Sequence, residues 1–292
     1  MHQHLLILIV GLSCYNLSQA IDLQPGEVVP PKQEISILQS SISYSERGDF
    51  YKNGEKIASN SEIKSVNYII RIAQSFFIKD IPAVVYAQTP MGYIHAKNSP
   101  ISPPSTNTNG DAGIGDTSLA FALWPYADHV SNKFFGMAAY LIIPSGSYSE
   151  QKLFNMGANR YQYAFQTGYQ QQVLQNTHWM IAWDALYSTN NDEYLPVRLK
   201  LEQAPIYTTQ TGVKYDLSSR FSLAGMYFYS HGGQTTINHI SMDDMLGLQR
   251  YQLSAQGNFD FGRILIQYGG DIKTDNKFKE DHRLILRYTI RF

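Results

Sequence analysis

The chain has 292 residues, a formal net charge of −1 and a single cysteine. A near-neutral balance offers no electrostatic footprint for nucleic acid or another polyanionic partner, and one cysteine excludes a disulfide framework. Aromatic residues make up 13% of the chain, with 21 tyrosines against 14 phenylalanines and 3 tryptophans. Such an excess of rings with polar tips fits either a tyrosine-rich soluble sheet or the interfacial girdles of a membrane protein.

Residues 1–20 read as a signal peptide: an apolar run from Leu5 to Leu12 precedes the small Ser18 and Ala20 and a cut ahead of Ile21. His2 and His4 stand where Lys or Arg is usual. Cys14 lies inside this leader, and lipidation there is a weaker alternative because Gly11 occupies the place of a larger aliphatic residue in GLSC. No later run approaches the roughly 20 apolar residues of a transmembrane helix. Residues 21–32, IDLQPGEVVPPK, hold Pro25, Pro30, Pro31 and Gly26, which neither a helix nor a central strand accommodates. They are expected to form an N-terminal tail and a candidate plug.

From residue 33 onward the chain is predicted to be all strand and turn. The first two stretches, near 34–46 and 62–76, alternate loosely, and the third, near 82–95, contains Pro90, which suggests a bend or bulge. A long polar loop leads to strands near 115–124 and 133–143. In RYQYAFQTGYQQ, Tyr161, Tyr163, Phe165, Thr167 and Tyr169 share one face while Gln162, Gln166 and Gln170 share the other. The next strand repeats the pattern with Trp179, Ile181, Trp183, Ala185 and Tyr187 outward. An eighth is expected over 197–216 with Pro205 in its middle, and a ninth over 220–229. The tenth places Arg250 inward, and the eleventh Arg263 and Asp271.

The chain closes on HRLILRYTIRF, in which Leu284, Leu286, Tyr288, Ile290 and Phe292 alternate with Arg283, Ile285, Arg287, Thr289 and Arg291. Alternation over about ten residues matches a tilted strand crossing a bilayer, and three arginines on one face are tolerable only if that face looks into a hydrated lumen. The competing reading is an edge strand of a secreted sandwich. The links favour the barrel: those after even strands are short, and those after odd strands are longer, including 273–280, with only the stretch near 190–194 modest. The fold expected is therefore all-β: a closed antiparallel transmembrane β-barrel of about 12 strands over residues 33–292, with short periplasmic turns and long extracellular loops. Arg250, Arg263, Arg283, Arg287 and Arg291 would line one lumen wall, offset by fewer acids such as Asp271 and, further round, Asp184. That wall either selects anions or braces a filled interior.

Three patches carry a family resemblance: GIGD with Gly113, Gly115 and Asp116, PSGSY with Pro144, Gly146 and Tyr148, and LFNMGANR with Asn155, Gly157 and Arg160. Ahead of an aromatic strand, they resemble the transporter-like outer-membrane family named for the meta-cleavage pathway of phenol degradation, from about residue 80 to the end. The resemblance implies a barrel in the outer membrane of a Gram-negative bacterium and passive uptake of small aromatic or hydrophobic molecules. The terminal Tyr288, Ile290 and Phe292 likewise resemble the C-terminal signal by which such barrels are recognised for insertion.

From the residues themselves, the three patches are expected to fold an extracellular loop, with Asp116 bonding nearby amides and Arg160 pairing with an acidic neighbour. A phosphate cradle at GIGD would need a following helix. SHGGQ at 230–234 comes without a G-x-S-x-G elbow, and His231, His239, Asp243 and Asp244 lack dense metal-ligand spacing, so a solvated loop is expected there. No catalytic residue, metal or cofactor is expected. The expected partners are outer-membrane lipid, the barrel assembly machinery and a small-molecule solute, with no nucleic acid, and the chain is expected to act as a monomer. Adhesion through the loops and a membrane-embedded hydrolase are the alternative functions.

Overall fold

A computed structural model describes residues 21–101, 103 and 105–292; the leader reading and Cys14 lie outside them. Twelve antiparallel strands form a continuous ring: β1 Ser36–Lys52, β2 Glu62–Ile78, β3 Ile81–Lys97, β4 Thr117–Asp128, β5 Lys133–Ile143, β6 Gln162–Leu174, β7 Thr177–Ser188, β8 Ile206–Asp216, β9 Phe221–Gly232, β10 Leu246–Phe259, β11 Gly262–Thr274 and β12 Lys277–Arg291. Each pairs with its chain neighbours, and β12 pairs with β1 from Ile37↔Arg291 to Tyr51↔Lys277. Closure leaves no long edge, so every strand amide that lipid could not satisfy has a neighbour.

Period two sorts the residues. Outward positions such as Ile72, Phe165, Trp183, Leu223, Leu253 and Leu286 are exposed, whereas inward Gln39, Asn67, Gln88, Gln166, Gln210 and Gln252 are buried. The chain is thus an inside-out sheet, apolar towards lipid and polar within, as a membrane barrel requires. Rings stack along the outer surface across neighbouring strands, Tyr163 on Tyr187 and Trp183 on Tyr207, and Phe259 packs on Phe261 beside Tyr288 at the short-turn end.

Several expected boundaries differ. The eighth strand begins at Ile206, because Pro205 cannot donate to the ladder. The residues before it form Leu199–Gln203, a strand of a separate four-stranded sheet with Asn191–Tyr194, Thr235–Ile237 and Ile240–Ser241. The stretch expected to be a modest link near 190–194 is therefore part of a structured loop, 189–205. The link after β11 is only the two-residue turn 275–276, so short and long links do not alternate throughout.

Pro90 makes no bulge against β2, whose register runs unbroken through Ile69↔Pro90. The adjustment falls on the other neighbour, where Gly110–Ile114 and β4 are separate segments. The Pro90 carbonyl accepts the Gly115 N–H at 2.8 Å, so the missing proline N–H faces that same break.

Two buried clusters lie inside the ring. At the long-loop end, Phe50, Ile63, Ile94 and Phe278 from β1, β2, β3 and β12 pack with Leu153, Phe154 and Met156, and with Leu201, Ile237 and Met242 from the opposite side of the mouth. At the short-turn end the tail enters the lumen. Leu23 and Val28 join Phe134, Met180 and Phe228 of the inner wall, and Ile21 reaches furthest, against Ile142, Ala164 and Leu186.

Candidate functional site: the lumen and its lining

Among the described residues, no backbone-to-backbone hydrogen bond joins residues 21–34 to the barrel wall; the tail is held by side chains. The Leu23 N–H donates to Gln210 Oε1 at 2.8 Å, Gln166 Nε2 donates to the Ile21 carbonyl at 2.7 Å, and Trp124 Nε1 donates to the Val28 carbonyl at 2.7 Å. Two acids supply the charge. Asp22 takes both Arg250 nitrogens, at 2.7 and 2.8 Å, with Arg283 Nη1 at 3.7 Å. Glu27 lies between Arg71 at 3.3 Å and Arg287 at 3.6 Å.

The basic residues therefore divide into two groups. Arg250 and Arg283, each 2% exposed, belong to a buried lattice with Asp22 and Glu280, which also takes Arg47 at 2.6 Å. Asp271 sits beside this lattice, accepting the Glu280 N–H at 2.8 Å and facing Lys277 Nζ at 3.2 Å. Ionic groups this deeply buried persist only when paired and hydrogen-bonded, so these arginines brace the interior. Nearer the short-turn end, Arg287 has Glu27 at 3.6 Å as its one acidic neighbour among the described residues, Arg263 donates to the neutral Asn258 at 3.0 Å, and Arg291 is exposed. Sequence reasoning placed the arginines on inward faces but missed the acids of the tail, because no periodicity in 21–32 announces a contact with β10 or β12.

A cavity of about 740 Å³ lies between the tail and the wall in the short-turn half, and it reaches the exposed Lys32 and Gln33. Ile37, Val84 and Leu265 give it apolar surface, and Arg71 lies 4.3 Å above the Tyr86 ring.

The three loop patches meet at Asp116. Its Oδ1 accepts the Gly146 N–H at 2.9 Å and its Oδ2 the Ala158 N–H at 2.8 Å. Burial pushes this carboxyl above its ordinary range, and the amides of Ala158 and Gly146, with the nearby Arg160, pull it partly back. Gly146 and Gly157 touch backbone to backbone: a Cβ on Gly146 would come within 2.8 Å of the Gly157 Cα. Gly113 lies against Ser147, Gly115 against Pro90, and Ser145 follows Pro144 with its hydroxyl accepting the Thr117 N–H. Asn155 accepts the Ser149 N–H, Tyr148 donates to the Glu193 carbonyl, and Arg160 donates to Gln203 at 2.6 Å. The patches thus tie the 144–161 loop to the next one.

His231 stacks on Tyr229 at the lipid face and Asp244 is bound by Thr235. Among the described residues, no three His, Cys, Asp or Glu side chains gather as metal ligands. At the far end of the chain, Tyr288 donates to the Phe261 carbonyl at 2.6 Å, Ile290 pairs with Leu38, and the Phe292 N–H donates to the Ser36 carbonyl at 3.0 Å.

A family model described as MetA-pathway of phenol degradation matches residues 44–288. The chain belongs to that family. Among solved structures, this member of the phenol-degradation family is similar to an outer membrane channel from Pseudomonas putida F1, at 24% identity and a TM-score of 0.87, over 93% of this chain and all (100%) of that one. A more distant likeness, 8% identical with a TM-score of 0.50, is the beta domain of the Bordetella autotransporter BrkA, over 87% of this chain and 98% of that one. No curated protein sequence matches the chain. The neighbours share the outer-membrane barrel fold.

Proposed function

We propose that this family member is a passive outer-membrane channel for small molecules, aromatic or apolar ones among them, and performs no chemistry of its own. The family's tie to phenol degradation and the likeness to a barrel called an outer membrane channel support this reading. The observation that carries it is the construction of the lumen. A polar-lined barrel holds a cavity of about 740 Å³ beside a tail attached only through side chains, a plug that can leave without unpairing a strand.

In this reading residues 1–20 are a cleaved leader, the assembly machinery recognises the last strand, and the chain works as a monomer in outer-membrane lipid. Planar-bilayer recordings of the full-length protein and of a variant lacking 21–32 test it. Expected is small or intermittent conductance for the former and a larger, steady one for the latter. Silence from both folded proteins overturns the channel and favours a surface-structural role for the loops.

A further inference from the structure

We propose that the cavity in the short-turn half of the lumen binds a small organic carboxylate with an apolar body, its charge held by Arg263 and Arg287 with Arg291 at the mouth. This rests on the reading of the lumen as a path for small solutes and names the class of solute.

Arg263 pairs with Thr289, and Arg287 and Arg291 lie two residues to either side of Thr289 on the same inward face. Diagonal neighbours on one face of an antiparallel pair are roughly 7–8 Å apart, so three guanidiniums project into one volume. All three line the cavity. Like charges so placed raise one another's energy unless an anion sits among them.

The protein supplies too little negative charge. Glu27 is shared with Arg71, which is closer to it than Arg287 is, and Asp22 is occupied by Arg250. Lys32 adds a further cation at the rim. Arg287 is 9% exposed, yet its Nε meets no acceptor among the described residues. A buried donor without an acceptor is costly, and a planar guanidinium matches a carboxylate through two parallel bonds.

The remainder of the cavity argues against a plain inorganic anion. Ile37 and Leu265 lie beside the arginines, paired with Arg291 and Arg287, and Val84 and Trp124 line the cavity from β3 and β4; this surface rewards an apolar group attached to the charge. Tyr86 and Tyr140 pack edge-on at 6.3 Å and add aromatic surface to the cavity.

Calorimetric titration of the purified full-length protein with benzoate, at constant ionic strength, tests the site. Expected is saturable binding, at least tenfold weaker for benzyl alcohol, which keeps the ring without the charge, and for acetate, which keeps the charge without the ring. Arg263→Gln with Arg287→Gln should weaken benzoate at least tenfold and leave benzyl alcohol unchanged. Ala138→Phe, which adds a ring to the cavity wall and leaves every charge in place, should also abolish benzoate binding.

The site is overturned by any of four results: no saturation in folded wild type, equal affinity for benzyl alcohol, sulfate displacing benzoate as well as benzoate displaces itself, or unchanged binding in both variants. Potassium chloride conductance of the same preparation keeps the two readings apart. Conduction without benzoate binding removes the site alone, and binding without conduction upholds the site and removes the channel.

Discussion

Asp22 and Arg250 stand 228 positions apart and meet through two hydrogen bonds of 2.7 and 2.8 Å inside the barrel. Both side chains are almost fully buried, at 5% and 3% exposure. Removing one partner of such a pair costs roughly 3–5 kcal/mol, because the other charge is left without compensation. The tail has no backbone ladder to the wall, so the cheapest relief is for it to withdraw. Asp22→Asn is expected to fold as wild type does, with the same heat-modifiable gel mobility, and to show a larger conductance. A folded variant with wild-type conductance would mean that the tail does not close the lumen.

The two arginine groups should respond differently to the same substitution. Arg283→Gln deprives Glu280 and Asp22 of a neighbour at 3.4 and 3.7 Å, whereas Arg263→Gln removes a cation whose hydrogen bond goes to Asn258. Urea unfolding in lipid vesicles should show Arg283→Gln destabilised by a few kcal/mol, on the order of the cost of breaking a buried pair, and Arg263→Gln close to wild type or above it. Equal losses would mean that the two groups are not distinct.

Asp116 holds the 144–161 loop through two amides, and Asp116→Ala should cost roughly 1–3 kcal/mol for each acceptor lost. Limited proteolysis on intact cells would show it as new cleavage within 144–161.

Acidification should act differently from that substitution. Burial raises the Asp116 carboxyl above its ordinary value, so the folded protein binds this proton more tightly than the unfolded chain. Its contribution to stability therefore falls as pH rises from the ordinary carboxylate value through the raised one, and grows on acidification. Protection of the loop at pH 5 should equal or exceed that at pH 7, and cleavage that increases at pH 5 would assign control of the loop to other groups.

Tyr288 lies on the outer face of the last strand and donates to the Phe261 carbonyl across the turn between β10 and β11. Tyr288→Asp places a charge at the lipid boundary and removes that bond, and Phe292→Ala removes the terminal ring. Both should reduce the heat-modifiable form recovered from outer membranes, Tyr288→Asp more strongly. Full recovery of Tyr288→Asp would place its side chain in water.

Strand identity and facing were legible because they rest on a local signal. A period of two, as in Tyr163, Phe165 and Gln162, Gln166, states which side meets lipid wherever the strand sits in the ring. The glycines of GIGD and PSGSY were likewise legible as loop-formers, since tight backbone approach restricts residue type locally. Other features depend on chain-distant neighbours. Pro90 forces no bulge on its own strand because the break is taken up beyond it, at Gly115. Arg160 donates to Gln203, a residue 43 positions along the chain that no local pattern points to.

The alternation along each strand specifies the inside-out sheet and the arginines on its inner face; ring closure specifies which of them are braced and which stay available. Closing the sheet sets strand number and stagger together, and these decide which inward side chains confront one another across the lumen. That brings Asp22 to Arg250 and Arg283, and Glu27 to Arg71 and Arg287, from a proline-rich tail with no periodicity of its own. Among the described residues, Arg263 and Arg291 form no ion pair for the same reason: the tail places its two carboxylates elsewhere, a long-range contact that no local pattern encodes.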